Sequence, residues 1–137
     1  MELSELYNLA EALDVEVDAF ELEARDALSI QFDTNDYFIA IDPFRLTSTA
    51  DEKTKLGHEL GHCATGSFYN QYSKYDNVAR NERRADKWAI RHLIPKEELD
   101  AAVADGHTEI YDLAEYFGVT DEFMQKVVHY YKFGSLA

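Results

Sequence analysis

Cysteine and basic residues are scarce in this chain, and each shortage excludes a class of protein. Cys63 is the only cysteine among 137 residues, so no disulfide can form within the chain, and a reducing compartment suits such a protein. Thirteen bases stand against 27 acids, which gives a net charge of −14 with neutral histidines. Because this charge repels phosphate backbones and anionic membranes, we expect no direct nucleic-acid binding.

Long apolar stretches are absent from the sequence as well. No apolar run approaches the roughly 18 residues of a membrane-spanning helix, and no basic segment followed by an apolar one marks a secretory leader. We therefore expect no membrane association and a cytoplasmic location. Hydrophobic residues still make up 46% of the chain, which is enough for the core of a single domain over residues 1–137.

The most informative motif is HExxH, formed by His58, Glu59 and His62. Histidines four residues apart lie on one side of an α-helix, so both imidazoles can bind one tetrahedral metal ion, usually zinc. Glu59 projects beside them and can act as general base towards water. The motif alone is only moderately specific, because histidines at this spacing also occur by chance in polar helices.

A second motif follows His62 by 20 residues, where Glu82 and Asp86 lie in a predicted helix. One stripe of that helix contains Val78, Glu82, Ala85, Ala89 and His92. A carboxylate on an inward stripe is costly unless a cation meets it, and two histidines plus a glutamate complete a catalytic zinc site. Asp86, one turn further on, can accept the free N–H of a ligating histidine. In the alternative interpretation, Glu82 is a solvated acid that pairs with Arg83 or Arg84.

The remaining pattern predicts an α+β fold that is mainly helical, with a small antiparallel sheet packed on the HExxH helix. Apolar spacing predicts the first helix within residues 1–26, which hold nine acids and one base. Predicted strands cover residues 28–32 and 37–41, joined by a turn at 33–36, with a third short strand at 15–17. The HExxH helix is predicted from a capping box at 49–52 to Gly66, and the second motif's helix from about 76 to 93. Further helices are predicted at 96–104 and 110–117 and after Thr120, whose side chain can cap the last one.

The segment from Leu113 to Val128 superficially resembles a DNA-binding helix-turn-helix. Between Thr108 and Phe133, however, five acids face only Lys126 and Lys132. A DNA reader needs a basic footprint, so we interpret these helices as packing elements.

The loop between the two motif helices, at residues 67–76, is rich in tyrosine. A tyrosine hydroxyl near zinc can stabilise an oxyanion, although loop tyrosines more often only pack. The sequence does not choose among its three candidates, Tyr69, Tyr72 and Tyr75.

Taken in order, four short segments resemble the ImmA/IrrE family of zinc metallopeptidases. They are Ile41-Asp42-Pro43, HELGH at 58–62, NERRAD at 81–86 and Leu93-Ile94-Pro95. The resemblance covers about residues 28–131, and HELGH with its downstream glutamate is the specific part, which also resembles thermolysin-like gluzincins. The family often has alanine where this chain has Gly57, a departure that leaves the ligands untouched.

The resemblance implies a zincin-like fold in which His58, His62 and Glu82 bind zinc, Glu59 is the catalytic base and Asp86 supports a ligand. It also implies a narrow protein substrate, a helix-turn-helix repressor of a prophage or mobile element, or a related stress regulator, whose cleavage relieves repression. Many members carry a DNA-binding domain on the same chain, for which 137 residues are too few.

Two other classes of function stay open at this point. The protein can be an anti-repressor that sequesters its partner without cutting, or a toxin–antitoxin-type regulator with structural zinc. The sequence favours the enzyme, because Glu59 has no structural need to be glutamate.

Overall fold

The computed structural model describes residues 1–70 and 72–136, which form an α+β fold as the sequence predicts. In chain order the elements are α1 (Leu3–Ala12), β1 (Val15–Ala19), β2 (Ala27–Gln31), β3 (Tyr37–Ile41), α2 (Thr49–Thr65), α3 (Tyr75–Leu93), α4 (Lys96–Ala104), α5 (Ile110–Phe117) and α6 (Asp121–Phe133). The predicted elements are all present, with boundaries shifted by one or two residues. None of the helices in the described ranges combines the length and apolar character that crossing a bilayer requires.

The sheet is mixed, whereas the sequence analysis predicts an antiparallel one. β2 and β3 form the expected antiparallel hairpin, with Asn35 at φ 62° in its turn. β1 lies on the other side of β3 and runs parallel to it, so the strand order is β1-β3-β2. The prediction was wrong on this point because residues 20–26 carry the chain from one edge of the sheet to the other. Alternation of apolar and polar residues gives the face of a strand but not its neighbours.

Helix α2 starts and ends at residues suited to those positions. The Ser48 hydroxyl accepts a hydrogen bond from the Asp51 N–H at 3.0 Å, so Ser48 is the N-cap and the capping motif lies one residue before the predicted Thr49. Gly66 ends the helix as predicted, with φ 65° in the left-handed region that glycine tolerates.

Helices α2 and α3 pack with their backbones in contact. A Cβ atom on Gly61 would lie 2.4 Å from the Ala85 carbonyl oxygen and 2.9 Å from its Cα. A Cβ on Gly57 would lie 2.7 Å from Leu93 Cδ1, which is the end of a flexible side chain. This close approach brings Glu82, one turn before Ala85, against the histidine face of α2.

The buried stripe of α3 differs from the predicted one at its C-terminal end. Its buried residues are Ala85, Ala89, Ile90 and Leu93. His92, placed on the inward stripe by the sequence analysis, is exposed and stacks on Trp88 with ring centroids 4.0 Å apart. The prediction was wrong there because the apolar side chains follow a four-residue step, which reaches Leu93 and leaves His92 outside.

The C-terminal helices belong to the same core. Phe117, Met124 and Val127 are buried in the cluster that also contains the apolar residues of α2 and α3. Lys53 of α2 is itself buried and donates to the Phe117 carbonyl at the end of α5. The α5–α6 pair therefore packs on the same core as α2 and α3.

Candidate metal centre

The three predicted ligands meet where α2 faces α3. His58 Nε2 lies 2.8 Å from Glu82 Oε2, and His62 Nε2 lies 3.1 Å from Glu82 Oε1. The two Nε2 atoms are 3.2 Å apart, and one ligand atom from each of the three residues lies within 4.8 Å of the others. Two imidazole nitrogens and a carboxylate thus converge on one point.

The far nitrogen of each imidazole is hydrogen-bonded, which fixes the orientation of the ring. His58 Nδ1 lies 2.7 Å from Asp86 Oδ1, and His62 Nδ1 donates to the Ser67 carbonyl oxygen. Lys126 of α6 lies 3.3 Å from the other Asp86 oxygen. Because Nδ1 carries the proton in each bond, Nε2 is left to bind a cation.

A tyrosine holds the third predicted ligand. The Tyr69 hydroxyl donates to Glu82 Oε1 at 2.7 Å. Of the three tyrosines that the sequence left open, Tyr72 and Tyr75 are 85% and 84% exposed, so Tyr69 is the one that reaches the cluster. The conformation of the loop after Gly66 decides this, and no local pattern in the sequence encodes it.

The hydrogen bonds within the cluster shift the pKa values of His58 and Glu82 in opposite directions. Burial disfavours protonation of His58, but hydrogen bonds with Asp86 and Glu82 outweigh it and raise the His58 pKa to about 10. Burial raises the Glu82 pKa, but its hydrogen bonds, first to His58 and then to His62, hold that pKa well below its usual range. The carboxylates therefore draw a proton onto His58 when no other cation is present.

The donor set fits a transition metal with an open coordination position. Two imidazole nitrogens and one carboxylate are the protein ligands of one class of catalytic zinc site, in which water or substrate takes the fourth position. The hydrogen bonds behind both imidazoles complete the support that such ligands require. His58, His62 and Glu82 are thus compatible with a bound metal ion.

Glu59 lies beside the cluster and lines two cavities, and the residue is 9% exposed. The larger cavity, of about 720 Å³, also contains Asp26, Lys55, Thr120 and Phe123. The smaller, of about 60 Å³, is closed by Leu28, Ser29, Phe68 and Tyr69. Arg25, Glu59 and Glu82 line both. A chain segment lying across the cluster would extend into both cavities and pass the Glu59 carboxylate.

A comparison with protein-family models decides the class of this protein. The model of Peptidase_M78, described as the IrrE N-terminal-like domain, matches residues 10–129. The chain belongs to this family. The resemblance seen in the sequence is therefore confirmed, and Peptidase_M78 membership supports a function of the metallopeptidase type. No curated protein and no solved structure matches the chain.

Several groups around this Peptidase_M78 site were not identified from the sequence. The Ser67 carbonyl is a backbone atom, which sequence patterns do not single out. Arg25 precedes the sheet hairpin, and Lys126 follows Asp86 by 40 residues, so only the tertiary fold brings them to the cavities. The sequence carries one signal for Arg25, which is that it is the single base in an acidic segment.

Proposed function

We propose that this protein is a zinc-dependent endopeptidase that cuts a protein substrate at the α2–α3 cluster. The observation that carries the proposal is the convergence of His58, His62 and Glu82 within 4.8 Å, beside a largely buried Glu59. Zinc bound there would supply a Lewis acid for the scissile carbonyl and activate water at neutral pH.

Each side chain of the cluster then has a defined task. His58, His62 and Glu82 would hold the metal, and Asp86 keeps the His58 ring in the tautomer that presents Nε2. Glu59 accepts the proton that water loses as it attacks, and then delivers it to the leaving nitrogen. Glu59 lines both cavities, so a substrate that occupies them would lie beside its carboxylate.

β2 is an edge strand of the sheet that the described residues form, and this position supports a peptide substrate in extended form. Hydrogen bonds from β2 to β3 run through Asp26 and Phe32 at its two ends, which makes every second residue a bonded one. The N–H and C=O groups of Ala27, Ser29 and Gln31 therefore point away from β3. Since Ser29 also lines the small cavity at the cluster, a peptide added along this edge would cross the metal centre.

A helix-turn-helix repressor is the substrate that we propose. DNA-binding repressors carry basic surfaces, and this chain has a net charge of −14, so the two proteins would attract each other over a distance of about one Debye length. Cleavage would remove the repressor from its operator. The alternative is sequestration of the same partner without cutting.

The test that separates these two is Glu59→Gln, with Glu97→Gln on the exposed face of α4 as matched control. Glutamine keeps the size of the side chain but cannot take a proton. We expect cleavage of a candidate repressor encoded beside this protein to fall about 10²-fold or more, with zinc content and repressor binding unchanged. Fragments are measured by mass spectrometry, with and without a chelator.

A measurement of derepression in cells that express Glu59→Gln can contradict the proposed cleavage. If Glu59→Gln relieves repression as fully as the wild type while the repressor stays intact, the protein sequesters its partner. Full cleavage by the Glu59→Gln protein would remove Glu59 from the mechanism.

A further inference from the structure

The sheet has an outer face that the core does not cover. Side chains alternate along each strand, and Val15, Ile39 and Ile41 point to the core. The register fixes what lies on the opposite side. Two cross-strand rows cover it, Asp18–Ala40–Leu28 and Glu16–Phe38–Ile30. In both rows an acid on β1 is followed by apolar residues on β3 and β2.

Five apolar residues lie on this face or directly beside it. We define the outer sheet face as Phe20, Leu28, Ile30, Phe32 and Phe38, none of which belongs to the central hydrophobic cluster of the described residues. Phe20 and Phe32 are 52% and 50% exposed, and the Phe20 ring packs edge-on against Phe38 at 5.6 Å. Leu28, Ile30 and Phe38 are half-buried, and Ala40 is buried. Partly exposed apolar residues with a polar rim are typical of an interaction site.

The rim of the outer sheet face is strongly acidic. Glu16 and Asp18 are exposed along β1, the edge strand opposite β2. The first 44 residues contain twelve acids and Arg25 as the single base, so they carry −11 of the net charge of −14. Such a concentration of one sign on one part of the fold attracts cations and repels a second copy of this chain.

The outer sheet face shares one residue with the small cavity at the metal centre. Leu28 belongs to it and also closes the small cavity that contains Glu59 and Glu82. At the other end, Phe32 and Phe38 line a groove of about 620 Å³ that continues towards α1. A partner on this face would therefore lie within one strand of the β2 edge.

We propose that the outer sheet face is a docking surface for a basic, amphipathic segment of a protein partner. Apolar side chains of the segment pack on β2 and β3, and its lysines or arginines face Glu16 and Asp18 on β1. Where the partner is the substrate, which rests on the proposed function, docking here places the rest of the partner at the β2 edge. Selection of the substrate then depends on a surface outside the catalytic cluster.

The test uses zinc-loaded Glu59→Gln protein and two short synthetic peptides of equal length, one alternating lysine with leucine and the other glutamate with leucine. Amide chemical shifts are followed by NMR during titration. We expect the lysine peptide to bind with a Kd on the order of 10–100 µM and to shift the amides of residues 16–20, 28–32 and 37–40. The glutamate peptide should leave those amides unchanged.

Two charge-reversal variants separate local from overall charge. Glu16→Lys with Asp18→Lys should weaken binding of the lysine peptide at least about tenfold. Asp105→Lys with Glu109→Lys, both exposed and outside the sheet, changes the net charge equally and should alter the affinity less than about twofold. Equal losses in both variants would overturn the proposal, as would shifts confined to the metal cluster or no shifts.

These outcomes do not depend on cleavage. Suppose that the candidate repressor binds and shifts this protein's amides on the outer sheet face, but is never cut. The docking surface then stands, and the proposed peptidase function fails. If the repressor is cut normally by a protein with Glu16→Lys and Asp18→Lys, the peptidase stands and the docking surface fails.

Discussion

The packing of α2 on α3 predicts very different effects for alanine at two glycines of the same helix. Gly57→Ala and Gly61→Ala both add one methyl group inside α2, and both gain about 1 kcal/mol of helix propensity. They differ in what the methyl meets. At Gly57 it meets the Leu93 Cδ1 atom at 2.7 Å, and at Gly61 the Ala85 carbonyl oxygen at 2.4 Å.

The expected magnitudes follow from these contacts. Leu93 can rotate a terminal methyl away, so the cost of Gly57→Ala offsets the gain and its net effect on the free energy of unfolding is within about 1 kcal/mol. Ordinary contact begins near 3.4 Å, so Gly61→Ala forces the α3 backbone to retreat by about 1 Å. Overpacking of this kind costs about 1–3 kcal/mol, and a backbone contact belongs at the upper end, which leaves a net loss of about 2 kcal/mol.

The retreat of α3 has a second consequence at the metal centre. Glu82 and Asp86 flank Ala85 on the same helix, so they move with it, and metal ligands tolerate about 0.5 Å of displacement. We expect Gly61→Ala to weaken zinc binding about 10–100-fold and Gly57→Ala to leave it unchanged. Urea unfolding of the metal-free proteins and chelator competition measure the two effects. If the Gly61→Ala protein has the stability and the zinc affinity of the wild type, the close-packing argument is refuted.

Four further predictions concern the centre and its surroundings. Tyr69→Phe and Asp86→Ala should each weaken zinc binding, by about 10–100-fold for Asp86→Ala, without unfolding the chain in circular dichroism. The metal-free fold raises the His58 pKa to about 10. Protonated His58 therefore stabilises the folded state fully below about pH 6.5, and this contribution is lost as the pH rises towards 10. Zinc binding at pH 7 should accordingly release about one proton from His58, measured by calorimetry in buffers of different ionisation enthalpy. Burial raises the Cys63 pKa to about 12, so iodoacetamide should label the thiol at pH 8 only after denaturation.

The sequence predicted the elements of the fold because their signals are local. Thr120 accepts the Phe123 N–H as a predicted cap, and Gly66 ends α2 in the left-handed conformation. The positions of His58 and Asp86 relative to each other also follow from the two motifs, given that both lie on helices and that the helices face each other. Cys63 is buried, as its apolar character suggests.

The features that the sequence did not predict are of a different kind, because they depend on contacts between distant segments. The direction of β1 is decided by the route of residues 20–26 across the sheet, and the exposure of His92 by the step of the apolar stripe on α3. Tyr69 was not distinguishable from its neighbours, since only the folded loop brings its hydroxyl to Glu82. The sequence does not predict the outer sheet face for the same reason, because only the strand register aligns Glu16 with Phe38 and Ile30.

Chemistry and charge are carried by separate parts of this chain. The two metal helices contain His58, Glu59, His62 and Glu82, and their acids and bases nearly balance at a net charge of +1. The first 44 residues contribute none of these side chains but most of the negative charge. Three of the cations that line the larger cavity, Arg45, Lys55 and Lys126, are paired with Asp26, Asp51 or Asp86, so these three repel a basic substrate only weakly. Under the proposed function and the proposed docking surface, substitutions on the sheet should change which partner is bound, and substitutions on α2 and α3 should change whether it is cut.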